Sequence, residues 1–263
     1  MNGALAAYKS LNKLLKNFST DQISKQYISR QSLSGDIEFK NVSFSFEPTG
    51  SPLISDLSIK IPAGQKVAIV GKMGSGKSTV IKLIAGLLKP TAGSVLVDGI
   101  DVNQLEKDDL RSNIGIMLQD TWLFSGSIKE NIQMGMLEFD DEHIINISQI
   151  SGADDFISTN PSGYDFVVQE RGVGLSGGQR QSINLARSLL HDPAIILLDE
   201  PTSAMDQAAE KKVVNNLNEF STGKTMLMIT HRNPIFAIVD RVLVFENGKI
   251  IADKTPKELG LIG

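Results

Sequence analysis

The stretch Gly71–Thr79, GKMGSGKST, constrains this chain more than any other. It fits G-x-x-x-x-G-K-[ST] and lies between a short apolar run, Val67–Val70, and a helix-like segment, Lys77–Leu88. Glycines at 71, 74 and 76, with Ser75 among them, let the backbone turn tightly and aim its N–H groups at phosphate oxygens. The helix that follows adds the positive end of its dipole. In such a loop Lys77 reaches the β- and γ-phosphates of a nucleotide, Ser78 ligates Mg²⁺ and Thr79 adds a phosphate contact. The rival reading is an accidental glycine-rich turn, and the strand–helix context weighs against it.

The run Val67–Val70 reads as a strand buried on both faces. Further strand-like runs fall at Ser94–Val97, Ile114–Leu118, Ile195–Leu198, Met226–Ile229 and Val242–Phe245, most of them separated by helical stretches. That alternation predicts an α/β fold with a largely parallel sheet. Upstream the pattern is different. Ile37, Phe39, Val42, Phe44 and Phe46 predict one alternating strand, irregular near Lys40 and Asn41, and Leu57, Ile59 and Ile61 predict a second that ends at Pro62. Helical signals dominate from about Ser125 to Leu190, which reads as an inserted helical subdomain.

Before Asp36 the chain looks different again. Leu5, Tyr8, Leu11, Leu15 and Phe18 form an amphipathic stripe, and a polar stretch through Ser34 and Gly35 reads as a linker. The stripe packs on this chain's own core or continues a helix lying upstream; residues 1–35 are accordingly set apart from 36–263. No apolar run exceeds five residues, Ala194–Leu198 among them, whereas a membrane-spanning helix needs roughly twenty. The start has no signal-peptide pattern. Absence of cysteine excludes a disulfide scaffold, a thiolate zinc site and a cysteine nucleophile. A formal net charge of −4 argues against nucleic acid as a partner.

Two more segments carry chemistry. Ala194–Glu200, AIILLDE, ends a buried strand in two carboxylates, where a phosphate loop's Mg²⁺ must be held. Asp199 is the candidate metal-side residue and Glu200 the candidate that polarises an attacking water. Leu175–Gln179, LSGGQ, opens a helix containing Arg180 and Arg187. Alone it is a capping turn, yet it is also a second anion-binding helix start. Two phosphate sites with one lysine-bearing loop point to a second copy of the chain, whose nucleotide the second half-site would serve.

With these motifs in this order, Asp36–Leu259 resembles the nucleotide-binding domain of ABC transporters. Ser176 follows Lys77 by 99 residues, which leaves no room for the long coiled coil of SMC-like relatives. The resemblance implies a P-loop NTPase fold with a RecA-like parallel-sheet core, an antiparallel β-subdomain and a helical subdomain. It implies ATP and Mg²⁺ as ligands and ATP hydrolysis as the activity. It further implies a head-to-tail dimer in which Ser176, Gly177, Gly178 and Gln179 face the partner copy's nucleotide. Gln119 fits the loop that contacts Mg²⁺ and the attacking water, Asp206 the loop that crosses the dimer seam, and His231 the switch histidine at the γ-phosphate. Phe46 aligns with the adenine-stacking position, commonly Tyr; plain strand core is its bland alternative. Met205 stands where Leu is usual. Glu170 fits the loop preceding the signature in exporters. His143 and His191, with no motif around them, read as ordinary satisfied histidines.

Gln119–Ile132, QDTWLFSGSIKENI, resembles exporters. The combination of RGVGLSGGQRQ (Arg171–Gln181) with PTSAMD (Pro201–Asp206) resembles type I secretion ATPases, which export RTX toxins and adhesins. The resemblance thus implies transmembrane domains of the full-length transporter as partners, and membrane-fusion and outer-membrane proteins of a secretion system. It places the domain at the cytoplasmic face of the cell membrane, soluble when isolated. The alternatives are a lipid, drug or peptide exporter, and a soluble non-transport ATPase of the same family.

Overall fold

In a computed structural model of the chain, residues 27–47, 50–120, 122–136 and 139–262 are described. The strands are β1 (Ile37–Phe44), β2 (Ile54–Ile61), β3 (Lys66–Gly71), β4 (Ala92–Val97), β5 (Ile100–Asp101) and β6 (Ile114–Met117). They continue as β7 (Gly126–Ser127), β8 (Val167–Val168), β9 (Ile195–Asp199), β10 (Thr225–Ile229), β11 (Arg241–Glu246) and β12 (Lys249–Lys254). One sheet runs β2-β1-β4-β5 and is antiparallel throughout. The second runs β12-β11-β3-β10-β9-β6, parallel except for β12. The parallel strands are the short apolar runs expected from the sequence.

Pleating divides the interior between two cores. On β9, Ile195 and Leu197 join Ile37, Phe39, Val67 and Ile69 on the side of the antiparallel sheet. Ile196 and Leu198 face the other way, toward Ile128, Ile144, Ile183 and Leu189 on helices Ile128–Gln133, Asp141–Ser151 and Gly177–Leu189. Alternate side chains of one strand thus feed opposite cores, which is why the run is apolar without a break. Burying each such side chain contributes roughly 1.5–3 kcal/mol, so cutting Leu197 or Leu198 to Ala would cost about 2–5 kcal/mol through the cavity left behind.

Local details refine the sequence reading. The irregularity near Lys40 and Asn41 is a bulge: the β1 register shifts between Phe39 and Val42, and Asn41 has φ 49°. β1 ends at Phe44, so Phe46 lies beyond the strand in which it was expected. The helix after the phosphate loop spans Lys77–Ile84, not Lys77–Leu88. It stops because Gly86 turns left-handed, and the amides of Leu87 and Leu88 donate back to the Lys82 carbonyl. The hairpin β11–β12 was missed, although its Asn247-Gly248 turn is a strong signal: both residues have positive φ, as a two-residue hairpin turn requires.

The amphipathic stripe expected before Asp36 lies outside the described residues. The polar stretch that follows is strapped to the body. The Ser29 hydroxyl and Arg30 amide donate to Asp109, and the amides of Ser34, Gly35 and Asp36 donate to Asp98. Among the described residues, no helix is long and apolar enough to cross a membrane.

Candidate functional site

The C-terminal ends of β3, β6, β9 and β10 open onto a cleft of about 280 Å³, the usual ligand position in an open parallel sheet. β3 delivers the phosphate loop. Gly71, its last residue, has φ 152°, and a Cβ there would come within 2.1 Å of the Phe245 carbonyl, so only glycine lets the chain pass. Gly76 precedes the helix without a side-chain cap; the Thr79 amide donates to the Gly76 carbonyl, which leaves the amides of Lys77 and Ser78 to an anion.

Lys77 is 8% exposed and folded over the loop. Its Nζ donates to the Gly71 carbonyl at 2.6 Å and the Lys72 carbonyl at 2.8 Å. Burial pulls its pKa down, while the nearby carboxylates of Asp199 and Glu200 pull it up. The ammonium therefore already lies among backbone acceptors in the loop, with two anions near it.

Asp199 closes β9 and is 3% exposed. Burial raises its pKa; a hydrogen bond from Ser78 and the charge of Lys77 oppose the rise. Glu200, the next residue, turns the chain sharply with φ 52°. Left-handed backbone at a non-glycine residue costs of order 1–3 kcal/mol and persists only where its surroundings fix it. Here the Glu200 amide donates to the Ile229 carbonyl, and its own carbonyl accepts from Gln181 Nε2. The Glu200 carboxyl is raised by burial first, with the His231 charge opposing and Asp199 adding to the rise. His231, just beyond β10, brings Nε2 to 3.7 Å from Glu200 Oε1.

Gly74, Gly76, Lys77, Ser78, Thr79, Gln119, Asp199, Glu200 and His231 thus line one cleft, joined by Leu53, Met73 and Ile229. The donors fit Mg²⁺: the Ser78 hydroxyl, the Asp199 carboxylate and the Gln119 amide oxygen, which line the same cleft, are hard oxygen ligands. Too few protein ligands converge for an all-protein cage, as expected where phosphates and water complete the shell. Among the described residues there is no group of three or more His, Cys, Asp or Glu that could hold a metal ion.

The remaining candidates lie outside the lining of that cleft. Phe46 is 71% exposed, packed edge-to-face against Phe44 at 4.9 Å between ring centroids, so it is not strand core. Ser176 caps helix Gly177–Leu189 in a reciprocal box: its hydroxyl accepts from the Gln179 amide, and Gln179 Oε1 accepts from the Ser176 amide. Gly177 and Gly178 lie against Ala204. The Asp206 carboxylate caps helix Gln207–Phe220 through the amides of Ala208 and Ala209. Glu170 sits exposed in the turn Glu170–Gly172, whose Arg171 has φ 62°. His143 Nε2 meets the Leu190 carbonyl and His191 Nε2 meets Met136 Sδ, as befits satisfied histidines.

Sequence reasoning missed Gln181 and Arg232. The first bonds to the Glu200 turn, and the second donates to the Ser203 carbonyl while facing buried Glu210 at 3.7 Å. Their only signal was position, one just after the LSGGQ stretch and the other beside His231.

The ABC transporter family profile matches residues 54–203. A putative multidrug export ATP-binding/permease protein of Bacillus subtilis, YgaD, is 40% identical over 88% of this chain and 40% of its own length. The leukotoxin translocation ATP-binding protein LktB of a Pasteurella haemolytica-like species is 38% identical over 92% of this chain and 34% of its own. The α-hemolysin translocation ATP-binding protein HlyB of Escherichia coli is 39% identical over 86% and 32%. The chain therefore spans two fifths or less of the length of these relatives. A bacterial Atm1-family ABC exporter with ATP bound superimposes with a TM-score of 0.84 at 30% identity, over 96% of this chain and 45% of that one. The chain belongs to the ABC transporter family and carries the fold of its ATP-hydrolysing domains.

Proposed function

We propose that the chain is the ATPase engine of an exporter, working as a head-to-tail pair in which each copy completes the other's site. One observation carries this reading: the phosphate loop, both carboxylates and His231 share one cleft, while Ser176 and Gln179, at the second anion-ready helix start, are not among its lining residues. The Ser176 hydroxyl accepts from the Gln179 amide, which leaves its proton to donate to a phosphate oxygen.

ATP lies on Gly71–Thr79 with Phe46 stacked on the adenine. Lys77 shifts from its own loop's carbonyls to the β- and γ-phosphates. Ser78, Asp199 and Gln119 hold Mg²⁺, which neutralises phosphate charge when bound. Glu200 orients and deprotonates the attacking water, and His231 holds the γ-phosphate. The partner's Ser176–Gln179 turn, with Asp206 at the seam, supplies amides and a helix dipole where charge spreads in the transition state. A hundredfold gain from that turn corresponds to about 2.7 kcal/mol of barrier. Closing and opening of the pair moves transmembrane partners at the cytoplasmic face of the membrane.

The cargo we assign is protein, with membrane-fusion and outer-membrane proteins as further partners. The support is RGVGLSGGQRQ with PTSAMD, together with relatives named for leukotoxin and α-hemolysin translocation. A relative named for multidrug export is equally similar, so lipid or drug cargo is the competing outcome of the test. Two experiments check the whole. Hydrolysis per molecule rises with protein concentration; constant turnover in a verified monomer overturns the paired site. In cells carrying the full-length transporter, a polypeptide appears outside only when Glu200 is intact; efflux of dye or lipid with no polypeptide reassigns the cargo.

A further inference from the structure

The strained backbone of Glu200 is tied to the helix that Ser176 opens. Gln181 sits on that helix, 5% exposed, with its whole amide engaged. Its Nε2 donates to the Glu200 carbonyl at 2.7 Å and to Ser203 Oγ at 3.1 Å, and its Oε1 accepts from the Ala204 amide at 2.9 Å. Packing reinforces the tie: a Cβ at Gly178 would come within 3.0 Å of the Ala204 carbonyl. On the far side of the turn, Arg232 donates to the Ser203 carbonyl at 2.6 Å, and Thr202 donates to buried Glu210 at 2.8 Å. Held from both sides, the turn cannot bend independently when the helix start moves.

We propose that Gln181 is a positioning residue that makes the seating of one subunit's Ser176 turn on its partner's nucleotide set the orientation of that same subunit's Glu200. Each site's water activation is then gated by closure of the neighbouring site. The inference rests on the paired-subunit reading above and adds the connection between the two sites. A side-chain amide suits the role because it must donate twice and accept once within a buried space. Methionine matches its length and offers none of these bonds.

Subunit mixing separates this role from general damage. A trace of live subunit is premixed with a large excess of Glu200→Gln subunit, so each live Glu200 faces a dead partner, and phosphate release is measured after ATP is added. With Gln181→Met in the live subunit, the rate falls at least about tenfold, as expected for a misplaced water-activating group. With Gln181→Met in the Glu200→Gln subunit instead, the rate stays within about twofold of the unsubstituted mixture. KM for ATP is unchanged in both, because the phosphate loop is untouched. Equal slowing in both arrangements, slowing only in the second, or none in either overturns the inference. Should Gln181→Met fail to fold, Ser203→Ala, at an exposed position, removes one of the three bonds and shows the same asymmetry at smaller amplitude; symmetric effects overturn it there too. Failure of the paired reading looks different: unsubstituted live tracer then turns over equally fast with and without excess partner.

Discussion

His231 Nε2 stands 3.7 Å from Glu200 Oε1, with the histidine side chain 60% exposed and the glutamate 17% exposed. The pair straddles the mouth of the cleft, the carboxylate inside and the imidazole at the rim. That division suits a carboxylate that handles water and an imidazole that meets the incoming phosphate. His231→Ala is therefore expected to leave ATP affinity nearly intact and to lower kcat by about a hundredfold, the scale of losing one preorganised transition-state contact. Steady-state kinetics beside nucleotide titration checks it. Combined with Glu200→Gln, the loss should fall well short of the product of the single losses, because the two act as a unit.

Glu200 also predicts a pH signature. Burial lifts its carboxyl above the ordinary carboxylate range, partly opposed by His231. The folded state then holds this proton more tightly than the unfolded chain. Between the unfolded and folded pKa values, unfolding releases a proton, so this group's contribution to stability declines as pH rises. Above the folded value the buried charge is a net burden, and Glu200→Gln removes it. The variant's melting temperature should exceed the unsubstituted protein's at about pH 8, and the gap should shrink toward about pH 3, below the unfolded value, where the carboxyl is protonated in both states. Scanning calorimetry across that range measures it; curves that stay parallel count against the buried charge. For the same reason, the acid limb of the kcat profile should lie above the range of an exposed glutamate.

Much of this architecture was legible in the sequence for a physical reason. Val67–Ile69, Ile195–Leu198 and Met226–Ile229 are buried on both faces, and such a run has no solvent-facing side to place polar residues on, so it reads as unbroken apolar sequence. The phosphate loop was legible because its glycines answer steric demands, as the 2.1 Å approach at Gly71 shows. What escaped has no periodicity. The left-handed turn at Glu200 and the three bonds of Gln181 depend on the placement of single polar atoms, and a glutamine in an amphipathic helix reads as surface. Phe46 was misplaced in β1 because two-residue alternation continues past the end of the strand. The hairpin into β12 was overlooked because Lys249–Lys254 is mostly exposed, although Asn247-Gly248 announced the turn.

The proposed site gives Lys77 a second task beside its loop contacts, and its removal should show both. Its ammonium now satisfies the carbonyls of Gly71 and Lys72; with nucleotide present it would turn to the phosphates. Lys77→Ala is expected to weaken ATP binding by about ten- to a hundredfold, roughly 1.4–2.7 kcal/mol for a charge-assisted contact. Thermal shift gives a direct readout. ATP at fixed concentration should raise the melting temperature of the unsubstituted protein through linkage, and that rise should largely vanish in the variant. Equal shifts would remove Lys77 from the phosphate site.

Phe46 supplies the last test, because the role proposed for it is separable from any role in the core. A ring that is 71% exposed, paired edge-to-face with Phe44, contributes little to the core. Phe46→Ala should therefore leave the melting temperature nearly unchanged. A ring offered to adenine is different: base–aromatic stacking is worth about 1–3 kcal/mol by alanine substitution, so KM for ATP should rise about tenfold or more. Stacking uses the face of the ring and asks nothing of a hydroxyl. Phe46→Tyr should accordingly match the unsubstituted protein, and Phe46→Leu, similar in bulk but without a π face, should behave nearly like Ala. A leucine variant with unaltered KM would mean that simple apolar contact, not stacking, holds the base.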